Sequence, residues 1–153
     1  MTQTTGESGD AERPRSSGRV LGLDLGDARI GVAISDHDRR VAVAHGTIRV
    51  GQPPGELQAV AALAHELGVA TVVVGHPRSM SGASGARAQH AEAFAGALRT
   101  ALSVPVELQD ERLSTVEAER ALRASGVSGK RRRQVVDESA AVVILGAWLD
   151  AHR

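Results

Sequence analysis

Apolar positions come first in short runs and later in helical stripes. Arg19-Val-Leu-Gly-Leu-Asp-Leu25 is an apolar run that ends in Gly26-Asp27, which is turn chemistry. Arg29 to Ser35 is a second run and Val41 to Val50 a third. Strands this close in sequence pair as antiparallel neighbours, because a parallel connection takes roughly a dozen residues or more. The first third of the chain therefore predicts a three-stranded meander. After the loop Gly51-Gln-Pro-Pro-Gly55 the period changes. Leu57, Val60, Ala61, Ala64 and Leu67 recur at helical spacing over Glu56 to Leu67, and Gly68 is placed to stop that helix. Thr71 to Val74 is a β-branched run of the kind that forms a strand buried on both faces.

Gly75 to Gly85 is rich in Gly, Ser and Pro and predicts a loop. Ala86 to Leu102 carries Phe94 and Leu98 on one stripe and predicts a helix, and Val104 to Leu108 predicts a short strand. Ser114 with Glu117 has the form of a capping box, opening a helix that Gly126 to Gly129 would close. Gln134 to Ala151 predicts a long apolar helix. The order β-β-β-α-β-α-β-α-α gives an α/β fold: one mixed five-stranded sheet, an antiparallel meander extended by parallel strands, flanked by helices. That order resembles the topology of the RNase H-like superfamily. Residues 1–17 are polar, of mixed charge and without an apolar stretch, and are expected to form a disordered tail ahead of a single domain over 18–153.

Composition narrows the chemistry. The chain has no cysteine, which excludes disulfides, Cys-ligated zinc and iron–sulfur clusters. No apolar run approaches the ~20 residues of a membrane span, and with no export signal the expected location is the cytoplasm. Phe94 and Trp148 are the aromatic residues, so no stacking platform for single strands is evident. The formal net charge is +0, yet the cations are unevenly spread. Lys130-Arg131-Arg132-Arg133 stands immediately before the last predicted helix, and Arg29, Arg39, Arg40, Arg78, Arg87 and Arg112 lie near the acidic positions described next. A solvated loop explains the basic run about as well as phosphate contact does; its position favours phosphate.

Three acidic positions stand out. Asp24 interrupts an apolar strand expected at the centre of the sheet, where a carboxylate is costly unless it is paired or ligates a cation; capping the turn at the strand end is the plainer explanation. Asp110 and Glu111 follow the last predicted strand, at the sheet edge where ligands bind in open α/β folds, and the residues alone do not choose between them. Asp137 falls in the first predicted turn of the final helix, where an acid also suits the helix dipole, a part Glu138 could equally take. Carboxylates from three separate elements repel one another unless a divalent ion joins them, and hard oxygen ligands suit Mg²⁺ or Mn²⁺. Two such ions support in-line hydrolysis of a phosphodiester.

The motifs are also similar to a known family. Gly22-Leu-Asp-Leu-Gly-Asp-Ala-Arg-Ile-Gly-Val-Ala-Ile-Ser-Asp36 resembles the N-terminal signature of the YqgF/RuvX family, nucleases associated with pre-16S rRNA and also described as Holliday junction resolvase-like. Val72-Val-Val-Gly-His-Pro77, Asp110-Glu-Arg-Leu-Ser-Thr115 and Val136-Asp-Glu-Ser-Ala-Ala-Val-Val-Ile-Leu145 resemble its later blocks, in family order, so the likeness spans about Gly18 to Asp150. The resemblance implies that Asp24, Glu111 and Asp137 are the catalytic and metal-binding carboxylates, which decides between Asp110 and Glu111. It also implies that Arg29 and Arg112 contact phosphate; for Lys130, Arg131, Arg132 and Arg133 the position of the run, not the resemblance, points to phosphate.

The implied activity is metal-dependent cleavage at the 5′ end of pre-16S rRNA during ribosome biogenesis, by a monomer or homodimer without membrane attachment. A Holliday junction resolvase acting on branched DNA and a non-catalytic RNA-binding assembly factor are the alternatives. An actin-like or sugar-kinase ATPase, suggested by Asp24-Leu-Gly26, needs two large lobes and is excluded by length. One block departs from the family pattern: Gly75-His76-Pro77 stands where Gly-Leu-Pro is usual, and Ser81-Gly82 where Asp-Gly is. A lone polar substitution at a loop edge is more often neutral than functional. The other histidines, His37, His45, His65, His90 and His152, show no ligand spacing.

Overall fold

The computed structural model describes residues 17–77, 85–110 and 129–152, and in the last segment the side chains from residue 139 onward. Three strands come first, β1 (Val20–Leu25), β2 (Arg29–Ser35) and β3 (Ala42–Arg49). They form the expected meander: β1 pairs antiparallel with β2, and β2 antiparallel with β3. Helix α1 (Glu56–Leu67) has the predicted bounds, and Gly68 ends it in the left-handed conformation that the absence of a Cβ permits. β4 (Thr71–His76), α2 (Gly85–Ala101), β5 (Val106–Asp110) and α3 (Gly129–Ala151) complete the described elements. The sheet order is β3-β2-β1-β4-β5, with β4 parallel to both β1 and β5. β1 is therefore the central strand, as its apolar run requires.

Each face of the sheet has its own core. Leu21, Leu23 and Leu25 join Ile30, Val72 and Val74 under α1 and α2, which contribute Val60, Phe94 and Leu98. Val20, Ala33 and Val73 face the other way, against Ala141, Ile144, Leu145 and Trp148 of α3. Alternation along the strands assigns every position to one of these faces. The close approach of α3 depends on Gly22, since a Cβ there would lie 2.8 Å from the Cβ of Leu145.

Three elements depart from the sequence reading by two residues or more. β4 runs on through Gly75 and His76, because both pair with β5 (Gly75 with Gln109, His76 with Asp110) where Pro77 then ends the strand. β5 lies two residues later than expected, which puts Asp110 inside the strand. α3 starts at Gly129 rather than Gln134, so Lys130 to Arg133 belong to the helix and Asp137 is well past its first turn. Lys and Arg are good helix formers, and nothing from 130 to 134 breaks the backbone pattern. The helix predicted from Ser114 and the tail over residues 1–16 lie outside the described residues. Ser17 does not belong to a free tail, for its carbonyl accepts a hydrogen bond from Arg39 Nη2 at 2.9 Å.

Candidate active site at the carboxyl edge of the sheet

Asp24 is buried, with 7% of its surface exposed, on the face that meets α3. Its neighbour on β2 is Gly31. On the other side β1 and β4 are in register through Leu23 and Val74, which brings Gly75 next to Asp24. Neither flanking position carries a side chain, and glycine inside a strand often marks close approach of another group. The turn beyond β1 is closed by Gly26 N–H donating to the carbonyl of Arg29 at 3.0 Å.

β5 separates its two candidate acids by parity. Asp110 pairs with His76, whose Nε2 lies 2.8 Å from Oε2 of Glu92 on α2. Glu107 points the other way, accepting a hydrogen bond from Trp148 Nε1 of α3 at 3.0 Å. The odd-numbered positions of β5 therefore share a face with Asp24, and the even-numbered ones do not. Glu111 and Arg112 lie outside the described residues. Asp137 and the run Lys130 to Arg133 are placed as helical backbone. Arg29 is the first residue of β2, at the same edge as Asp24. Among the described residues no three acidic or histidine side chains converge as a metal site. That set includes only Asp24 of the predicted carboxylates.

The structure also assigns residues that the sequence leaves without a clear part. Arg39 has no place at this edge. It sits at φ 61° with its guanidinium buried at the opposite end of β1, where Nε donates to the carbonyl of Gly18 at 2.8 Å. Burial pulls its pKa down, opposed by the charge of Glu107. Trp148 lies between Arg39, 5.7 Å from the ring centroid, and His152, stacked at 4.0 Å. This cluster fixes the end of α3 to the start of β1. His76 is directed to α2, and among the described residues its buried Nδ1 has no hydrogen-bond partner. On the same side, Leu25, Asp27, Glu56, Arg87 and His90 line a cavity of about 350 Å³.

The RuvX family model, described as Holliday junction resolvase, matches residues 18–151. The chain belongs to the RuvX family. A relative from Pelotomaculum thermopropionicum is 48% identical over 134 residues, 87% of each chain, and bears the name "Putative pre-16S rRNA nuclease". One of the same name from Mycolicibacterium paratuberculosis is 46% identical over 146 residues, covering 95% of this chain and 87% of its own. Among solved structures, Thermus thermophilus RuvC in complex with a Holliday junction substrate superposes with a TM-score of 0.55 at 15% identity, over 88% of this chain and 95% of that one. The fold of this RuvX-family chain is that of the RuvC-like resolvases, the RNase H-like arrangement its element order predicts. Among the described residues no helix is long and apolar enough to cross a membrane.

Proposed function

We propose that this RuvX-family protein is a divalent-metal-dependent endonuclease, acting in the cytoplasm on the 5′ end of pre-16S rRNA. Asp24, Glu111 and Asp137 are its metal-binding carboxylates. The observation that carries this reading is Asp24 itself, a carboxylate buried on the central strand between two glycine positions. Such a group is stable when a cation or an ion-pair partner compensates its desolvation. The register of α3 supports Asp137. Ala141 and Leu145 pack on Gly22 while Trp148 lies by Arg39, which holds the start of β1, so helix and strand run in opposite directions. Two strand residues from Gly22 to Asp24 span about 6.6 Å, and the antiparallel run of α3 carries position 137 from Leu145 about 12 Å in the same direction. Positions 24 and 137 thus both lie on the carboxyl-edge side of Gly22. Asp110 pairs with His76 at an even position of β5, on the face away from Asp24, which leaves Glu111 as the stronger candidate of the two.

Oxygen donors of this kind suit Mg²⁺ or Mn²⁺, which when bound supply an activated water and stabilise the leaving oxygen of an in-line displacement. The rest of the chemistry belongs to the chain. β1, the central strand, holds Asp24 in place, so little reorganisation of that carboxylate is needed when substrate arrives. Arg29 and Arg112, with the basic first turns of α3, attract the phosphate backbone and set its direction across the edge.

The RuvX description as a Holliday junction resolvase and the likeness to RuvC favour a second reading, cleavage of branched DNA by a homodimer. Side-by-side digestion of a precursor rRNA fragment and a four-way DNA junction in Mn²⁺ separates the two. Preferential cleavage of the RNA supports the proposal. Paired symmetric cuts in the junction, with the RNA left intact, would replace it with the resolvase.

A further inference from the structure

The cavity beside the β1–β2 turn borders the core under α1 and α2 through Leu25 and Ala91. It has a volume of about 350 Å³, within the range of ligand sites. Leu25, on its wall, follows Asp24 directly, and successive strand residues face opposite sides of the sheet. Asp24 therefore looks toward α3 while the cavity opens toward α1 and α2, and both meet the same carboxyl edge. A nucleic-acid strand crossing that edge with a phosphate at Asp24 brings an adjacent nucleotide to the mouth of the cavity.

The walls carry both kinds of hydrogen-bonding partner. Glu56 accepts the Gly51 amide through Oε1 at 3.1 Å, and that bond, with a smaller contribution from His90, holds its carboxyl below the usual range. Glu56 also lines the cavity. Asp27 adds a second carboxylate. Arg87 uses one donor on the carbonyl of Leu25, at a long 3.4 Å, and keeps the rest of its guanidinium fork. His90 contributes a flat ring. Two carboxylates repel a phosphate, and Arg87 repels a divalent cation. A neutral planar group with a donor edge and an acceptor edge matches all of these walls. Among nucleobases, guanine has that form: N1–H and the exocyclic amine on one edge, O6 and N7 on another.

We propose that this cavity is a nucleobase subsite that takes an unpaired guanine from a nucleotide next to the scissile phosphate. Asp27 and Glu56 accept from its N1–H and amine, Arg87 donates to O6 and N7, and His90 stacks on the ring. The placement of the scissile phosphate rests on the nuclease reading; the base preference does not. Extruding a paired base costs a few kcal/mol, so the subsite selects single-stranded or bulged segments over perfect duplex.

The test is binding of a labelled twelve-nucleotide oligouridine carrying one central guanosine, adenosine or abasic residue, measured by anisotropy in EDTA. The guanosine oligonucleotide should bind about tenfold tighter than the abasic one to the wild type, the discrimination expected of one good bidentate contact. Glu56→Gln and Arg87→Ala should each shrink that ratio to less than about twofold. A wild-type ratio near one, no binding at all, or a ratio untouched by both variants would overturn the subsite. Loss of cleavage activity with the guanine preference intact would count against the nuclease reading alone.

Discussion

Asp24 and Arg39 are both buried charged residues, and the sequence exposes only the first. An acid inside an apolar strand conflicts with its neighbours at once, because alternation gives the position a face and burial gives it a cost. Arg39 sits in Asp36 to Arg40, a polar stretch between two apolar runs. Its role depends on a left-handed backbone at φ 61° and on carbonyls about twenty residues earlier in the chain, neither of which local pattern encodes. Replacing Arg39 with Ala should destabilise the protein by about 2–4 kcal/mol, because it removes the charge-assisted bonds to Gly18 and Ser17 and the cation–π interaction with Trp148. Arg39→Lys should recover less than half of this, since an ammonium cannot reproduce the Nε and Nη2 fork. Denaturant titration decides it, and full recovery by Lys would show that charge alone matters.

At the scale of elements, α3 is where sequence and structure part most usefully. Its apolar stripe is legible from Val135 onward, but its first turns are cationic and carry no apolar signal, so the start at Gly129 is not. The consequence concerns function: the helix-dipole explanation of Asp137 fails once the residue lies beyond the first turn. The two-residue shift of β5 has a similar origin, because Gln109 and Asp110 look like loop residues until β4 offers them partners. Gly22 sets how closely α3 approaches. Gly22→Ala should cost about 1–3 kcal/mol, because the new Cβ meets the Cβ of Leu145 and no rotamer change relieves that clash. Thermal unfolding checks it, and cleavage should fall as well if the helix is pushed away from Asp24. Replacing Lys130, Arg131, Arg132 and Arg133 with Gln should weaken RNA binding and flatten its dependence on log salt by about 0.7 for each phosphate no longer neutralised. An unchanged slope would assign the run to solvent.

The whole molecule joins a generic scaffold to a specific edge. The meander, the parallel strands and their order follow from run lengths and connection lengths, which is why most of the fold can be read from the chain. The site is legible only in part. Asp24 announces itself, whereas family likeness alone favours Glu111 over Asp110; the strand adds only that Asp110 pairs with His76 on the face away from Asp24. Net neutrality gives no hint of a nucleic-acid partner, because it averages over the chain: four cations stand together in Lys130 to Arg133 while the acids are spread along the sequence.

Cleavage of a precursor 16S rRNA fragment in Mg²⁺ or Mn²⁺, against EDTA, by the wild type, Asp24→Asn and Asp137→Asn is the measurement that bears most directly on this account. It predicts metal-dependent cleavage by the wild type and a loss of at least roughly 10²-fold in each folded variant, the scale expected when a preorganised catalytic group is removed. Cleavage by Asp24→Asn at the wild-type rate, or cleavage that persists in EDTA, would contradict it.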